Sequence, residues 1–246
     1  MQPDQEAVLK RAYDAGVRLL INIGISLENS RQVVATARTY PGVFACVGVH
    51  PHAAASMNRE VWEALTNLAQ EPRVVGIGET GLDFYRRRSP EEVQRYWFQQ
   101  FLELAVSLKK TVVVHTREAT PETLRILKDF KGRLCGGVMH CFAGSLKEAH
   151  EFLDLGFYLS FSGVLTYPPA EPLRQVARQL PLERLLIETD CPYLAPQPWR
   201  GKRCEPAYVT ATAQTLAQLH GLSLAEAARQ TFANTLAAFH LSEDMI

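Results

Sequence analysis

Four predicted strands each end on a side chain that can bind a metal ion: Glu79, His115, His140 and Asp190. A fifth predicted strand ends on His50. Because the carboxyl ends of parallel barrel strands share one face, we expect these residues to converge although they are far apart in sequence. Imidazoles and carboxylates together suit Zn, Mn or Fe, and also Mg when water completes the coordination. A single histidine at a strand end is more often a hydrogen-bonded residue at the rim of the barrel. Five predicted strands that each end on a side chain able to bind a metal indicate a metal site.

The elements that must position these side chains alternate along the chain. Short, β-branched apolar runs are typical of parallel strands buried on both faces, and they are followed by amphipathic segments with helical spacing. The predicted strands are residues 19–25, 43–50, 73–79, 111–115, 137–140, 157–162 and 184–190. The predicted helices are residues 7–15, 29–40, 59–70, 91–108, 120–130, 146–155, 169–179, 207–220 and 223–239.

This alternation predicts an α/β fold, a TIM-type (β/α)8 barrel, in one domain over residues 1–246. Seven strands are predicted where such a barrel has eight, and the chain opens on a helix. The first strand is therefore the one expected to be missing.

The whole-chain properties exclude several classes of protein. With 26 basic and 26 acidic residues the net charge is +0, so the chain does not resemble a basic protein that coats long DNA. Five cysteines without a CxxC pair argue against a disulfide framework and favour a reducing cytoplasm. No apolar run is long enough to span a membrane, and the polar first residues do not form a secretory signal.

The segment from Gly76 to Asp83 surrounds Glu79 with three glycines, which allow the backbone to approach its neighbours closely. Asp83 has two interpretations. It could accept a hydrogen bond from a metal ligand, or it could cap the following turn.

Several short motifs, in this order, resemble those of the TatD family of metal-dependent deoxyribonucleases, which belongs to the metallo-dependent hydrolase barrel superfamily. The motifs are Gly48-Val-His-Pro-His52, Gly78-Glu-Thr-Gly-Leu-Asp83, His115-Thr-Arg117, His140-Cys-Phe142, Gly156-Phe-Tyr-Leu-Ser-Phe-Ser-Gly163, Glu188-Thr-Asp-Cys-Pro-Tyr193 and Arg203-Cys-Glu-Pro206. The resemblance extends over nearly the whole chain, and the ordered combination is more specific than any single motif.

The resemblance implies a metallohydrolase that cleaves phosphodiesters in DNA, and in some members RNA. By position, it implies that Glu79, His115, His140 and Asp190 bind the metal. Glu79 and Asp190 would be catalytic, with Asp190 orienting or deprotonating the attacking water. The residues expected to contact substrate or shape the mouth of the site are His50, Arg117, Arg203 and Glu205.

The chain departs from the family pattern in two places. Most similar proteins begin with a strand bearing His-x-His, which supplies ligands for a second metal, and the residues before the first predicted strand of this sequence contain no such motif. Three explanations are open: a start assigned downstream of that strand, a naturally short chain with one metal site, or a degenerate and inactive barrel. In addition, Cys204 stands where the family usually has Asn, and a thiol is the poorer hydrogen-bonding group.

The interpretation is a cytoplasmic, monomeric nuclease without an obligate protein partner, which trims single-stranded or frayed DNA ends exonucleolytically. Its expected cofactor is Mg²⁺ or Mn²⁺, with Zn²⁺ as the alternative; one site is supported and a second is open. The main rival is a hydrolase of the same superfamily acting on a lactone, amide or ester. The third hypothesis is a barrel that binds a ligand without catalysing a reaction.

Overall fold

The computed structural model describes residues 4–246, and this part of the chain contains seven β-strands and nine α-helices. The strands are β1 (Leu20–Ile23), β2 (Val43–Val47), β3 (Val74–Asp83), β4 (Thr111–Arg117), β5 (Gly137–Met139), β6 (Phe157–Phe161) and β7 (Leu185–Ile187). The helices are α1 (Gln5–Asp14), α2 (Leu27–Thr39), α3 (Arg59–Leu68), α4 (Glu91–Leu108), α5 (Thr120–Lys128), α6 (Leu146–Asp154), α7 (Glu171–Gln179), α8 (Val209–Leu219) and α9 (Leu224–Ala238). Every predicted strand and helix is present.

The strands form one sheet in the order β1-β2-β3-β4-β5-β6-β7. The pairings from β1 to β5 and the pairing of β6 with β7 are parallel. Parallel strands that follow each other in sequence order, each joined to the next through a helix, define the TIM-type α/β class. The predicted fold class is confirmed, with seven strands within residues 4–246.

One compact unit consists of residues 19–140, 154–157 and 238–246, and contains β1 to β5 with α2 to α5. Every residue of β2 and β3 is buried, which explains why β2 is apolar without alternation. Phe44 and Ile77 on these strands are at most 1% exposed, as are Phe98 and Phe101 on α4. This core holds the strand ends that carry the predicted histidines.

The other compact unit consists of residues 4–18, 141–153 and 158–237, and contains α1, α7, α8, β7 and most of α6, β6 and α9. Phe142 packs edge to face with Phe152 and Phe161, with ring centroids 6.3 and 6.1 Å apart. Asn234 of α9 donates hydrogen bonds to the carbonyls of Leu182 and Leu185, which fastens α9 to the start of β7. The single domain predicted for residues 1–246 stays a prediction.

Among the helices of residues 4–246, none combines the length and apolar character needed to cross a membrane.

Candidate metal centre

Glu79 lies at a bulge inside β3, whereas the sequence pattern had placed it at the end of a strand. The pairing of β3 with β4 shifts here, so that Gly78 and Glu79 lie opposite Val113 alone. Such a bulge redirects a side chain out of the regular alternation of a strand. A Cβ atom on Gly78 would overlap the Val113 carbonyl, and one on Gly48 would overlap the backbone of Gly78. Close backbone packing thus holds a carboxylate that is only 8% exposed.

Three imidazoles surround one carboxylate oxygen of Glu79. Its Oε1 atom lies 3.0 Å from Nδ1 of His115, 3.6 Å from Nε2 of His50 and 3.8 Å from Nε2 of His140. His115 belongs to β4, His140 follows β5 directly, and His50 follows β2 by three residues. The structure therefore brings together four residues that the sequence pattern had singled out.

The imidazoles stabilise the charged form of Glu79. Burial would raise the pKa of Glu79, but His140 and His115 outweigh that effect and lower the pKa to about 2. Burial would likewise lower the pKa of His115, yet its hydrogen bonds with Asp83 and Glu79 raise the pKa above the ordinary value. The site thus holds an ionised carboxylate beside His115, whose ring is more basic than a free imidazole.

The tautomer of His50 follows from a main-chain hydrogen bond. The backbone N–H of His52 donates to Nδ1 of His50 over 3.1 Å. A backbone amide can only donate, so Nδ1 carries the lone pair and the neutral ring keeps its proton on Nε2. Burial lowers the pKa of His50 to about 4, which keeps the ring neutral at pH 7. His50 therefore presents an N–H group toward Glu79, even though its distances alone would admit it as a metal ligand.

Asp83, at the end of β3, has no exposed surface and accepts hydrogen bonds on both carboxylate oxygens. Oδ1 accepts the backbone N–H of Arg86 at 2.7 Å, which caps the following turn. Oδ2 lies 2.8 Å from Nε2 of His52 and 3.2 Å from Nε2 of His115. Burial would raise the pKa of Asp83, but the hydrogen bonds from His115, Arg86 and His52 lower it. Asp83 therefore caps the turn and also contacts His115, so both contacts that the sequence offered as alternatives are present.

Two buried polar residues that the sequence did not single out hold this region in place. Gln94 of α4 accepts the backbone N–H of Asp83 at 2.8 Å and donates to the carbonyls of Asp83 and Ser89 at 3.2 and 2.9 Å. The hydroxyl of Ser89 donates to the carbonyl of His52 at 2.9 Å. Gln94 and Ser89 are each 1% exposed. Neither a glutamine nor a serine indicates such a role in a sequence. The only sequence feature that pointed to this region was His52, the second histidine of the motif Gly48–His52.

Arg117, the last residue of β4, lies over the ring of Tyr85. The guanidinium carbon is 3.9 Å from the ring centroid, and that of Arg86 is 5.4 Å from the same ring. Tyr85 is 48% exposed, so this stacked arginine lies at the surface. A cation held on an aromatic face keeps its hydrogen-bond donors available for an anion.

The remaining predicted site residues belong to the other compact unit. Asp190 is partly buried and follows β7 by three residues. Arg203 forms two hydrogen bonds with Asp4, at 2.7 and 3.2 Å, and Glu205 forms two with Arg11, at 2.7 and 2.8 Å. These ion pairs fasten the segment before α8 to α1. The catalytic and substrate-binding roles of these residues stay predictions.

The donor atoms around Glu79 fit a divalent metal ion. Metal–ligand bonds of about 2.0–2.2 Å in a tetrahedral site place neighbouring donor atoms roughly 3.3–3.6 Å apart. Nδ1 of His115 and Nε2 of His140, at 3.0 and 3.8 Å from Oε1 of Glu79, bracket that range. Imidazole and carboxylate donors together suit Zn, Mn or Fe, and also Mg when water completes the coordination.

Parallel strands in a β/α order that bring a buried carboxylate and imidazoles together are typical of barrel-type metal-dependent hydrolases. The chain belongs to the family of TatD related DNases, whose model matches residues 1–240.

Relatives of this chain agree with that assignment. The metal-dependent hydrolase YcfH of Escherichia coli K12 is 41% identical over 247 residues, which cover 98% of this chain and 90% of the relative. The 3'-5' ssDNA/RNA exonuclease TatD of Klebsiella pneumoniae is 38% identical, over 96% of this chain and 92% of the relative. The crystal structure of YjjV, a TatD homologue from E. coli K12, superimposes with a TM-score of 0.92 at 31% identity, over 98% of this chain and 95% of that one.

Proposed function

We propose that the protein is a nuclease that hydrolyses phosphodiester bonds in DNA, using water activated by a metal held by Glu79, His115, His140 and Asp190. It trims single strands and frayed ends exonucleolytically, and RNA is a secondary substrate. The observation that carries the proposal is the grouping of His115 and His140 around one buried oxygen of Glu79.

The donor set explains the need for a metal. A bound divalent ion would lower the pKa of a coordinated water and offset negative charge on the phosphoryl oxygens. Glu79 supplies a carboxylate that stays ionised, since its pKa is lowered to about 2 by the imidazoles despite its burial. His115 and His140 supply neutral nitrogen ligands from β4 and from the residue after β5. The residues present support one metal site, with Mn²⁺ and Mg²⁺ as the expected ions and Zn²⁺ as the alternative; a second site stays open.

The groups around this centre suit a phosphodiester. In hydrolysis a new P–O bond forms to the water oxygen, one ester P–O bond breaks, the water loses a proton, and the departing ester oxygen takes up a proton to become a hydroxyl group. We assign Asp190 as the acceptor of that proton. The Nε2–H of His50 and the guanidinium of Arg117 would donate hydrogen bonds to phosphoryl oxygens. A carbonyl substrate offers a single oxygen and has less need of two additional donors.

The substrate class is also supported by relatives. The Klebsiella relative carries the name of a 3'-5' exonuclease for single-stranded DNA and RNA. We extend that polarity and that preference for single strands to this chain as part of the proposal. Arg203 and Glu205 would shape the mouth of the site around the strand end.

The test compares a small diester with a defined oligonucleotide. Wild-type protein, stripped with chelator and reloaded with Mn²⁺, Mg²⁺ or Zn²⁺, is assayed on bis-p-nitrophenyl phosphate and on a 5'-labelled single strand. We expect metal-dependent turnover of both, with the labelled strand shortened one nucleotide at a time from its 3' end. Turnover of p-nitrophenyl acetate without turnover of the diester would instead support the carbonyl hydrolase.

Matched variants test whether a loss of cleavage is specific to the proposed site. Glu79→Gln and Asp190→Asn should abolish cleavage, whereas Glu63→Gln and Asp129→Asn, at exposed positions, should leave it unchanged. If Glu79→Gln and Asp190→Asn cleave as fast as wild type, the proposed site is wrong. Absence of metal-dependent turnover of any substrate would support the binding barrel.

A further inference from the structure

We propose that Asp83 is a positioning residue that turns Nδ1 of His115 toward Glu79, and that His52 shares the carboxylate oxygen on which this depends. The inference rests on the metal-dependent function proposed above. It assigns a role to a residue that would touch neither the metal nor the substrate.

The ring of His115 is held at both of its nitrogens. Nδ1 lies 3.0 Å from Oε1 of Glu79, and Nε2 lies 3.2 Å from Oδ2 of Asp83. A neutral imidazole has one protonated nitrogen and one lone pair. If Nδ1 is to offer its lone pair to a metal, the proton of the neutral ring must lie on Nε2. The ionised carboxylate of Asp83 can only accept a hydrogen bond, so it favours the proton in that position. Asp83 thus selects both the rotation and the tautomer that a ligand in this position needs.

The carboxylate of Asp83 is held by groups that do not belong to the metal site. Gln94 binds both its backbone N–H and its carbonyl, and the backbone N–H of Arg86 binds Oδ1. Asp83 has no exposed surface, and Gln94 is 1% exposed, so water does not compete for these bonds. The orientation of the carboxylate is therefore set before any ion arrives.

His52 uses the same oxygen of Asp83 as His115 does. Its Nε2 lies 2.8 Å from Oδ2, closer than the 3.2 Å of His115, and its side chain is 25% exposed. A carboxylate oxygen can accept two hydrogen bonds, but each donor withdraws negative charge from the oxygen and so weakens the bond to the other. Removal of His52 should therefore strengthen the bond to His115, and metal binding should be unchanged or tighter.

Asp83→Asn tests the carboxylate because an amide has only one accepting oxygen. If that oxygen faces the two imidazoles, the NH₂ group meets the N–H of Arg86, and two donors oppose each other. If it faces Arg86, the NH₂ group demands a lone pair at Nε2 of His115 and moves the proton to Nδ1. Either arrangement impairs His115 as a ligand through Nδ1.

The experiment measures metal binding directly. Chelator-stripped wild type, Asp83→Asn, His52→Ala and the exposed-site control Asp129→Asn are titrated with Zn²⁺ and Mn²⁺ by calorimetry, after circular dichroism has shown that they are folded. We expect Asp83→Asn to weaken affinity about 10- to 100-fold, His52→Ala to match or exceed wild type, and Asp129→Asn to equal it. At saturating metal the KM of Asp83→Asn for bis-p-nitrophenyl phosphate should equal that of wild type.

A second measurement uses the wild-type chain, in case Asp83→Asn does not fold. In zinc-loaded protein labelled with ¹⁵N histidine, nuclear magnetic resonance should show His115 bound through Nδ1, with a slowly exchanging proton on Nε2. Coordination through Nε2, or wild-type affinity in folded Asp83→Asn, would overturn the inference. Wild type that binds no metal would refute the proposed function itself, so the two failures are distinguishable.

Discussion

Nδ1 of His115 lies 3.0 Å from Oε1 of Glu79, across two neighbouring strands whose pairing shifts at that point. This contact joins a buried anion to a ring whose other nitrogen faces a second carboxylate. It is the relationship on which the metal chemistry of the site depends, and it leads to the first prediction.

Glu79→Gln should remove the charged ligand while keeping the shape of the side chain. We expect binding of Mn²⁺ to weaken by more than about 100-fold, since loss of a ligand should exceed the 10- to 100-fold loss typical of its supporting residues. Calorimetric titration checks this, and Glu63→Gln should behave as wild type. Equal affinity in Glu79→Gln and wild type would contradict the assignment of Glu79 as a ligand.

Metal binding should raise the melting temperature, because a ligand that binds only the folded state stabilises it. At a free metal concentration of about 100 times Kd the gain is about 2.7 kcal/mol, which corresponds to roughly 5–10 °C for a chain of this size. His140→Ala should lose most of this shift, whereas His150→Ala, changed at an exposed position, should retain it. Differential scanning calorimetry with and without chelator measures the shift. A full shift in His140→Ala would remove His140 from the ligand set.

Acidification should destabilise the metal-free protein through His50. Burial lowers the pKa of His50 to about 4, below the value of 6.5 for a free histidine. Between these pH values the unfolded chain binds more protons than the folded chain, so the free energy of unfolding falls as pH falls from about 6.5 to 4. The loss from this one residue is up to about 3 kcal/mol.

Urea unfolding in chelator at several pH values tests the effect of His50. His50→Gln should show a flatter pH dependence than wild type between pH 6.5 and 4, and the exposed-site control His150→Gln should keep the wild-type slope. Below pH 4.5 all three proteins should lose further stability, because the pKa of Glu79 is lowered to about 2 in the folded state. Identical slopes in His50→Gln and wild type between pH 6.5 and 4 would show that His50 is not the responsible group.

Arg203 is paired with Asp4 at the surface, and both side chains are more than 40% exposed. Exposed ion pairs contribute little to stability, so Arg203→Ala and Asp4→Asn should both melt close to wild type. If Arg203 contacts a substrate phosphate, Arg203→Ala should raise the KM for an oligonucleotide and reduce the slope of log KM against log salt by about 1. Asp4→Asn should leave KM unchanged or lower it, since it releases the arginine. A KM for Arg203→Ala equal to wild type over the salt series would exclude that contact.

The strands and helices could be predicted from the sequence because strands of a buried parallel sheet form nearly continuous apolar runs. β2 is apolar at each of its five positions, and α3 is capped by Asn58, whose side chain accepts the N–H of Val61 as its type predicts. The bulge at Glu79 could not be predicted from the sequence. The sequence predicts this strand only as far as residue 79, and it continues to Asp83 because β4 pairs with Thr80, Gly81, Leu82 and Asp83.

The sequence by itself determined the order of the strands, the residue types at their ends and the family. These follow from local patterns of apolar residues and from short ordered motifs. Only the tertiary structure decided which atom of each side chain faces which neighbour. His52 and Asp83 are 31 positions apart, and their contact depends on the 3-10 turn Pro51–Ser56 packing beside the end of β3. The same turn directs the backbone N–H of His52 to Nδ1 of His50, which makes Nε2 of His50 a hydrogen-bond donor. Asp83 contacts Nε2 of His115, so that Nδ1 of His115 faces Glu79. No local pattern records such choices, because an imidazole has two chemically similar nitrogens and its surroundings alone distinguish them.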